Sequence, residues 1–318
     1  MVNKKPKGKK RKVKSVVLAI VVALIVLSIS VMVVNSIKPD RITLGHMEGQ
    51  IKGAAFIRTN QALVEQFYKN WLPNDLFWPT VFLDNMPNFQ LGELEVVRYN
   101  VRVLRDSLSR MRTTDRLDPN AEGAFTALSN DPYKWWFPSA ESKWKKAYNN
   151  LEIFYQNLQA GESHFYPRAD NLVELLEQYA SLMGGANTRL INAPRDMKEV
   201  LTMDDEIGLR PEGHKMVDVD IPWYEIDDNF YYAQGVAYAL YASFMAIHID
   251  FIDVLEDKNS VQLIDKILEH LRRCDFEPLI VFNGDPGSVF ANHSLNLSGI
   301  FNDARQKVNS LIVALKQG

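Results

Sequence analysis

The pair Glu141-Ser142 carries residue types that could do acid catalysis, and it lies at the start of a predicted helix. A glutamic acid there could protonate a glycosidic oxygen, as helical glycan-cleaving enzymes do. The Gly-Leu-Met-Gln type motif that those enzymes carry downstream is absent from this sequence. A carboxylate in a first helical turn also interacts favourably with the positive end of the helix dipole. We keep Glu141 as the candidate catalytic residue and prefer the structural explanation.

Two groups of residues have the donor atoms of a cation site. His248, Asp250 and Asp253 are close in sequence, but on a helix His248 and Asp250 point in different directions. Zinc needs three or four converging ligands. The second group consists of five acidic residues, Asp218, Asp220, Glu225, Asp227 and Asp228. Their spacing lacks the glycine and the terminal glutamate of an EF-hand calcium loop. We expect no metal and no cofactor, and we interpret the second group as a solvated acidic loop.

Residues 73–91 and 214–228 have sequences that helix packing does not explain, and we expect any interaction surface there. The first segment is rich in aromatic residues and proline, and we expect it to pack over the core as an ordered connection. The second alternates apolar and acidic residues with strand period, and Pro222 restricts it to a sheet edge. The candidate binding residues are Trp78, Asp218, Asp220, Trp223 and Tyr224.

Two further groups have simpler structural explanations than ligand binding. A row of arginines along residues 92–112 could hold an anion, but Glu95 and Asp106 lie at helical spacing and could neutralise it. The tryptophans Trp135, Trp136 and Trp144 could form a sugar platform, and we interpret them as core residues instead.

The elements that must position these residues are almost all helices. Apolar residues recur at intervals of three and four along 92–112, and again in later segments. Ser139 is the expected N-cap of a helix that ends at Gly161, and a following helix from Asp170 should stop at Gly184–Gly185. The predicted fold is therefore mainly α, with an N-terminal transmembrane helix, a multi-helix domain and little β.

Residues 230–249 contain no Asp, Glu, Lys or Arg, and could form either a core helix or a second membrane span. Both flanks are acidic and neither has a cationic anchor, which disfavours a span. A helix that is apolar on all sides is also what the centre of a large helical domain requires. We therefore expect the 229–249 helix to lie in the core.

The first forty residues indicate a membrane anchor. Eight lysines and arginines precede the uncharged segment 16–34, which as a helix would span about 28 Å. A cleaved signal peptide has the same order of charges, but this apolar segment is longer and lacks a small-x-small cleavage site. We predict a basic cytoplasmic tail at 1–14, a transmembrane helix at 15–37 and a helical periplasmic domain at 38–318.

Charge and cysteine content exclude several functions. Residues 1–40 carry nine basic and one acidic side chain, hence +8, while the whole chain carries −3, so residues 41–318 carry −11. An acidic domain argues against nucleic acid as a partner. The basic tail adjoins the span and should meet anionic lipid headgroups instead. The single cysteine, Cys274, rules out an intrachain disulfide, and we expect it to be buried.

Four segments resemble an uncharacterised family of bacterial, mostly proteobacterial, single-span proteins, known as domain of unknown function 2333. The segments are 74–77, 83–92, 137–142 and 166–172, of which Leu-Asp-Asn-Met-Pro-Asn at 83–88 is the most specific. The resemblance implies a single-pass protein of the Gram-negative inner membrane with its C-terminal domain in the periplasm. It implies no activity.

We therefore expect a membrane-anchored interaction or accessory protein of the cell envelope, with other envelope proteins as partners. Two alternatives remain. One is a cell-wall glycan-cleaving enzyme that uses Glu141. The other is a ligand-sensing helical domain with an aromatic pocket drawn from Trp223, Tyr224 and the helix of Tyr231–Tyr241.

Overall fold

The structure is a computed structural model that describes residues 7–44, 50–112, 114–191, 195–201, 214–220, 226–278, 281 and 292–317. Its helices are α1 Lys7–Asn35, α2 Ala54–Lys69, α3 Asn85–Val103, α4 Pro119–Leu128, α5 Ala140–Ala160, α6 Ala169–Ile191, α7 Ile226–Asp250, α8 Ile252–Asp257, α9 Val261–Arg273 and α10 His293–Lys316. A 3₁₀ turn lies at Thr80–Phe82 and a π-helical turn at Leu104–Leu108. Strands β1 Arg195–Leu201 and β2 His214–Asp220 pair antiparallel. The predicted mainly α fold is confirmed.

Helix α7 is the central helix of the domain. It packs against α3, α2, α9 and α6, and its apolar side chains are buried. Two glycines allow α3 and α7 to approach closely: a Cβ on Gly92 would lie 2.1 Å from the Tyr232 carbonyl oxygen, and one on Gly235 would lie 1.9 Å from that of Phe89. The uncharged segment 229–249 is therefore a core helix, as expected.

A hydrogen-bonded polar junction lies at the centre of the core, where α2, α3, α6 and α7 meet. The amide nitrogen of Asn100 donates to Asn60 Oδ1 at 2.8 Å and to Ser243 Oγ at 2.9 Å. The Tyr179 hydroxyl donates to Asn100 Oδ1 at 2.5 Å. These side chains are buried, and their mutual hydrogen bonds offset the cost of desolvating them.

Helix ends follow local sequence in some places and tertiary contacts in others. Ser139 caps α5 and Gly161 ends it in the left-handed conformation, as predicted. Helix α2 has no side-chain cap of its own, because Gly53 precedes it. Asp250, at the end of α7, accepts the Phe56 N–H at 2.7 Å and caps α2 from outside. Burial raises the pKa of the Asp250 carboxyl to about 6.

Two predicted helix boundaries were wrong. Residues 85–91 belong to α3 and not to a connection, because Asp84 caps the helix and Pro87 lies in the first turn, where N–H groups lack intrahelical acceptors. Helix α6 continues through Gly184–Gly185 to Ile191. Arg305 of α10 packs across that turn and donates to the Ala180 carbonyl at 3.0 Å, so tertiary packing overrides the helix-breaking tendency of glycine.

Helix α1 includes Lys14–Asn35, a segment long and apolar enough to cross a membrane, and almost none of it is buried in the protein. Among the described residues it is the one helix with these properties. It begins at Lys7, so part of the predicted basic tail is helical.

Candidate functional site

The segment that follows α1 is bound to the helical domain by Lys38. Its ammonium lies 2.9 Å from Gln234 Oε1, 3.2 Å from Glu277 and 3.7 Å from Asp275. Gln234, on α7, also donates to the Phe276 carbonyl at 2.7 Å. Lys38 is mostly buried, whereas the carboxylates of Asp275 and Glu277 are partly exposed to solvent.

Residues 40 and 41 add a second set of contacts to the same joint. Arg41 lies 2.6 Å from Asp275, and its guanidinium is 5.4 Å from the centre of the Tyr241 ring. The Tyr238 hydroxyl donates to the Asp40 carbonyl at 2.7 Å. Leu44 is buried in the main core. We call the contacts of residues 38–44 the joint; it begins three residues after α1 ends at Asn35 and binds this part of the chain to the helical domain.

Two loops expose large aromatic side chains, and together we call them the aromatic surface. The first loop contributes Phe77, Trp78 and Phe82, and the second contributes Trp135, Trp136 and Phe137. The loops lie side by side: the Trp71 indole donates to the Pro132 carbonyl at 2.8 Å, and the Asn74 amide to the Lys134 carbonyl at 3.2 Å.

The aromatic surface corrects two expectations. The prediction that residues 73–91 pack over the core is wrong for the first part of that segment, because Phe77 and Trp78 are 78% and 59% exposed. Trp135 and Trp136 were expected in the core and are 51% and 69% exposed, whereas Trp144 is buried as expected. The reason is position: Trp144 lies on the core-facing side of α5, while the other two lie in a loop that no other described element covers.

Glu141 lies in the first turn of α5, beside the aromatic surface. Its Oε1 accepts a hydrogen bond from the Asn74 amide at 3.0 Å. Asn74 is buried and contacts the second loop as well, so Glu141 helps to hold the two loops together. This contact differs from the helix-dipole interaction by which the sequence explained Glu141, and the catalytic candidacy of Glu141 stays a prediction.

The structure describes only two of the other candidate binding residues. Asp218 and Asp220 lie on β2, paired with Met197 and Arg195 of β1. Residues 221–225 of the predicted second interaction segment lie outside the described residues, and Trp223 and Tyr224 are among them. Trp78 is the candidate binding residue that the structure places on an exposed surface.

The acidic residues are arranged differently from the prediction. Asp227 and Asp228 lie in the first turn of α7, not in a loop, and their carboxylates approach that of Asp84 to within 4.8 Å. Burial and the nearby Asp84 raise the pKa of Asp227. Asn88 donates to Asp228 at 2.8 Å. Exposed acidic groups of this kind are common without an ion, and we assign this cluster no metal.

A lateral cleft of about 580 Å³ opens beside α3, α6 and α7. Tyr99, Tyr133, Arg189 and Tyr232 line it, and the Arg189 guanidinium lies 4.5 Å from the Tyr232 ring centre. Burial raises the pKa of Tyr232 to about 12. The volume is within the range of small-molecule sites. Sequence reasoning identified the helix of Tyr232 but not Arg189 or Tyr99, because they come from separate helices.

Two arginines of the row, Arg98 and Arg105, are neutralised by the acidic residues of their own helical segment and of α4. Arg98 pairs with Glu95 at 2.7 Å and donates to two backbone carbonyls. Arg105 pairs with Asp106 at 2.7 Å and with Glu122 at 3.4 Å. These arginines therefore support helix packing.

Comparison with protein families gives one match. A family described as uncharacterized protein conserved in bacteria (DUF2333) matches residues 8–318. The chain belongs to this family. The DUF2333 match includes the apolar part of α1 as well as the helical domain, so both are part of one family unit. No curated protein and no solved structure matches the chain.

Proposed function

We propose that this DUF2333 protein is a non-enzymatic interaction or accessory protein of the bacterial envelope, anchored in the inner membrane by α1. Its basic N-terminus lies in the cytoplasm and its helical domain in the periplasm. The observation that carries the proposal is the joint, because Lys38 and Arg41 bind the domain directly to the end of the anchor. A domain held in this way presents a constant surface at a constant height above the membrane.

The topology can be tested by cysteine labelling in cells. Asn149 is exposed on α5, and Cys274 is buried. An Asn149→Cys variant with Cys274→Ala should react with a membrane-impermeant maleimide when only the periplasm is accessible. Labelling that requires disruption of the inner membrane would contradict the proposed orientation.

The interaction role can be tested by crosslinking the full-length protein in its own cells. We expect a reproducible envelope partner, and a lower yield of its adduct when Lys38→Ala and Arg41→Ala break the joint. Lys52→Ala is the matched control, because it removes an exposed ion pair with Asp253 outside the joint. The absence of any partner, where a known envelope complex crosslinks well, would overturn the proposal.

The lateral cleft supports a second candidate function, the sensing of a small ligand. Arg189 above Tyr232 offers a cation beside aromatic rings, which suits an anionic or aromatic ligand. Purified protein should then show a higher melting temperature with a ligand from envelope extracts, and Arg189→Ala should abolish the shift. A shift that survives Arg189→Ala would place the ligand elsewhere.

A further inference from the structure

We infer that the aromatic surface rests in the outer leaflet of the membrane and gives the domain a second membrane contact beside α1. This inference depends on the proposed membrane span. Exposed aromatic side chains in two adjacent loops form a larger apolar area than scattered surface residues do, and such areas mark binding sites. The occupant follows from the position of the loops.

The first loop touches the anchor helix. The turn Thr80–Phe82 packs against α1, and Leu83 lines one groove with Ile29, Met32 and Val33 of α1. This groove measures about 600 Å³ and is mostly apolar. The loop therefore reaches the part of the anchor that a lipid bilayer must surround.

The position of the first loop along helix α1 gives its depth in the proposed membrane. Ile29 lies six residues before the helix end at Asn35, which corresponds to about 9 Å along the helix axis. A hydrocarbon half-thickness is about 15 Å, so a loop beside Ile29 and Val33 lies at the headgroup boundary or below it. Phe82 ends the turn and Phe77 lies three residues before it; they are 66% and 78% exposed.

The composition of the two loops suits this boundary. Tryptophan is enriched at membrane interfaces because its ring is apolar and its N–H can bond with headgroups and water. Trp78, Trp135 and Trp136 are all exposed, and the last two pack edge to face at 5.3 Å between ring centres. Phe137, 85% exposed, has no polar group and would enter the apolar region.

Lysines accompany the second loop although the domain as a whole is acidic. Lys134 is inside the loop, and Lys143, Lys145 and Lys146 lie in the first two turns of α5 directly after it. Residues 131–146 contain these four lysines and two acidic residues, Asp131 and Glu141, so this stretch has a positive net charge. Cations beside aromatic residues favour anionic headgroups.

The experiment is a depth measurement on the full-length protein in bilayers. Cys274→Ala provides a background in which single cysteines at Val26, Phe77, Phe137 and Asn149 carry spin labels. Accessibility to oxygen relative to a polar nickel complex reports depth, since oxygen concentrates in lipid. We expect ratios several-fold above that of Asn149 at Val26, Phe77 and Phe137.

The labels separate this inference from the proposed function. If the label at Val26 has the high oxygen accessibility of lipid while those at Phe77 and Phe137 match the aqueous control at Asn149, the proposed membrane anchor is supported and the inference is overturned. If only Phe77 reads as lipid, the two-loop surface is overturned. If Val26 itself is aqueous, the proposed anchor fails.

Lipid composition tests the role of the lysines. The depth at Phe137 should increase when an anionic phospholipid is added to neutral phosphatidylcholine, and Lys134→Gln with Lys143→Gln should remove that increase. An equal depth in both lipids would overturn the electrostatic part. All these residues are at least partly exposed, so the folded state should persist, which circular dichroism can verify.

Discussion

The polar junction and the aromatic surface reverse the usual distribution of residues. Asn60, Asn100, Tyr179 and Ser243 bring polar groups into the centre of the domain, while the aromatic surface leaves tryptophan and phenylalanine exposed. The polar groups of the junction bond to one another, so the protein itself supplies their partners. The described residues supply no equivalent cover for Trp136 and Phe137.

The difference separates structural residues from candidates for function. A buried polar group with its hydrogen bonds made stabilises one arrangement of helices. An exposed apolar side chain gains little for folding, and its energy is available for binding to something else. The residues that best explain stability and those that best explain interaction are therefore in different parts of this molecule.

The largest expected effect on stability is the difference between substituting a buried and an exposed phenylalanine. Phe154→Ala should lower the free energy of unfolding by about 3–5 kcal/mol, because the buried ring of α5 leaves a cavity. Phe137→Ala should lower it by far less, because the ring is exposed from the protein and its removal leaves no cavity in the core. Unfolding of both variants in the same nanodiscs measures the difference. A large loss for Phe137→Ala would show that the aromatic surface is structural.

Removing the central residue of the polar junction should lower the free energy of unfolding almost as much. Asn100→Ala removes the shared partner of Asn60, Tyr179 and Ser243, and should cost about 2–4 kcal/mol because buried polar groups lose their bonds. Asn149→Ala is the matched control, since that asparagine is exposed on α5. Equal melting temperatures for the two variants would mean that the junction does not stabilise the fold.

Glu93 is also buried, but unlike the side chains of the polar junction it has a carboxylate oxygen without a hydrogen-bond partner. It is 1% exposed, and its Oε1 has no hydrogen-bond partner. Burial raises the pKa of its carboxyl well above the usual 4.5. The folded protein therefore holds a proton that the unfolded chain releases near pH 4.5, and this contribution destabilises the fold as pH rises above that value.

Glu93→Gln removes this titration and should stabilise the protein at pH 8, with a gain that decreases as pH is lowered and vanishes near pH 4. Melting temperatures of wild type and variant across that range provide the measurement. The comparison with wild type cancels the similar contribution of Asp250, whose pKa is also raised. A gain that does not depend on pH would contradict an ionisable origin.

The smallest expected effect is at Glu141. Glu141→Gln keeps an oxygen that can accept the Asn74 amide, so unfolding should change by less than about 0.5 kcal/mol. Release of soluble fragments from purified cell-wall glycan should be negligible for both proteins. Release by the wild type that the variant loses, with an unchanged melting temperature, would establish the enzyme alternative instead.

Much of the fold was predictable because helical periodicity is local. The cap at Ser139, the end at Gly161 and the burial of α7 follow from residues a few positions apart. The errors arose where a distant element intervened. Arg305 continues α6 beyond its glycines, and Asp250 caps a helix almost two hundred residues earlier.

The candidate site was less predictable. Trp78 was identified by its unusual context, but the joint of Lys38 and Arg41 was not, because its partners lie on α7 and after α9. The cleft residues Tyr99 and Arg189 also come from separate helices. The sequence carried a signal for both loops of the aromatic surface: the first is rich in aromatic residues and proline, and the second has four aromatic residues within positions 133–137.

The sequence by itself determined the helical class, the long apolar N-terminal segment and the charge division, since each depends on composition or on short-range periodicity; four short segments indicated the family. Only the tertiary structure decided which aromatic residues are exposed. Trp136 and Trp144 are eight positions apart, and one is exposed while the other is buried. Burial depends on which other elements cover a residue, and no local pattern contains that information.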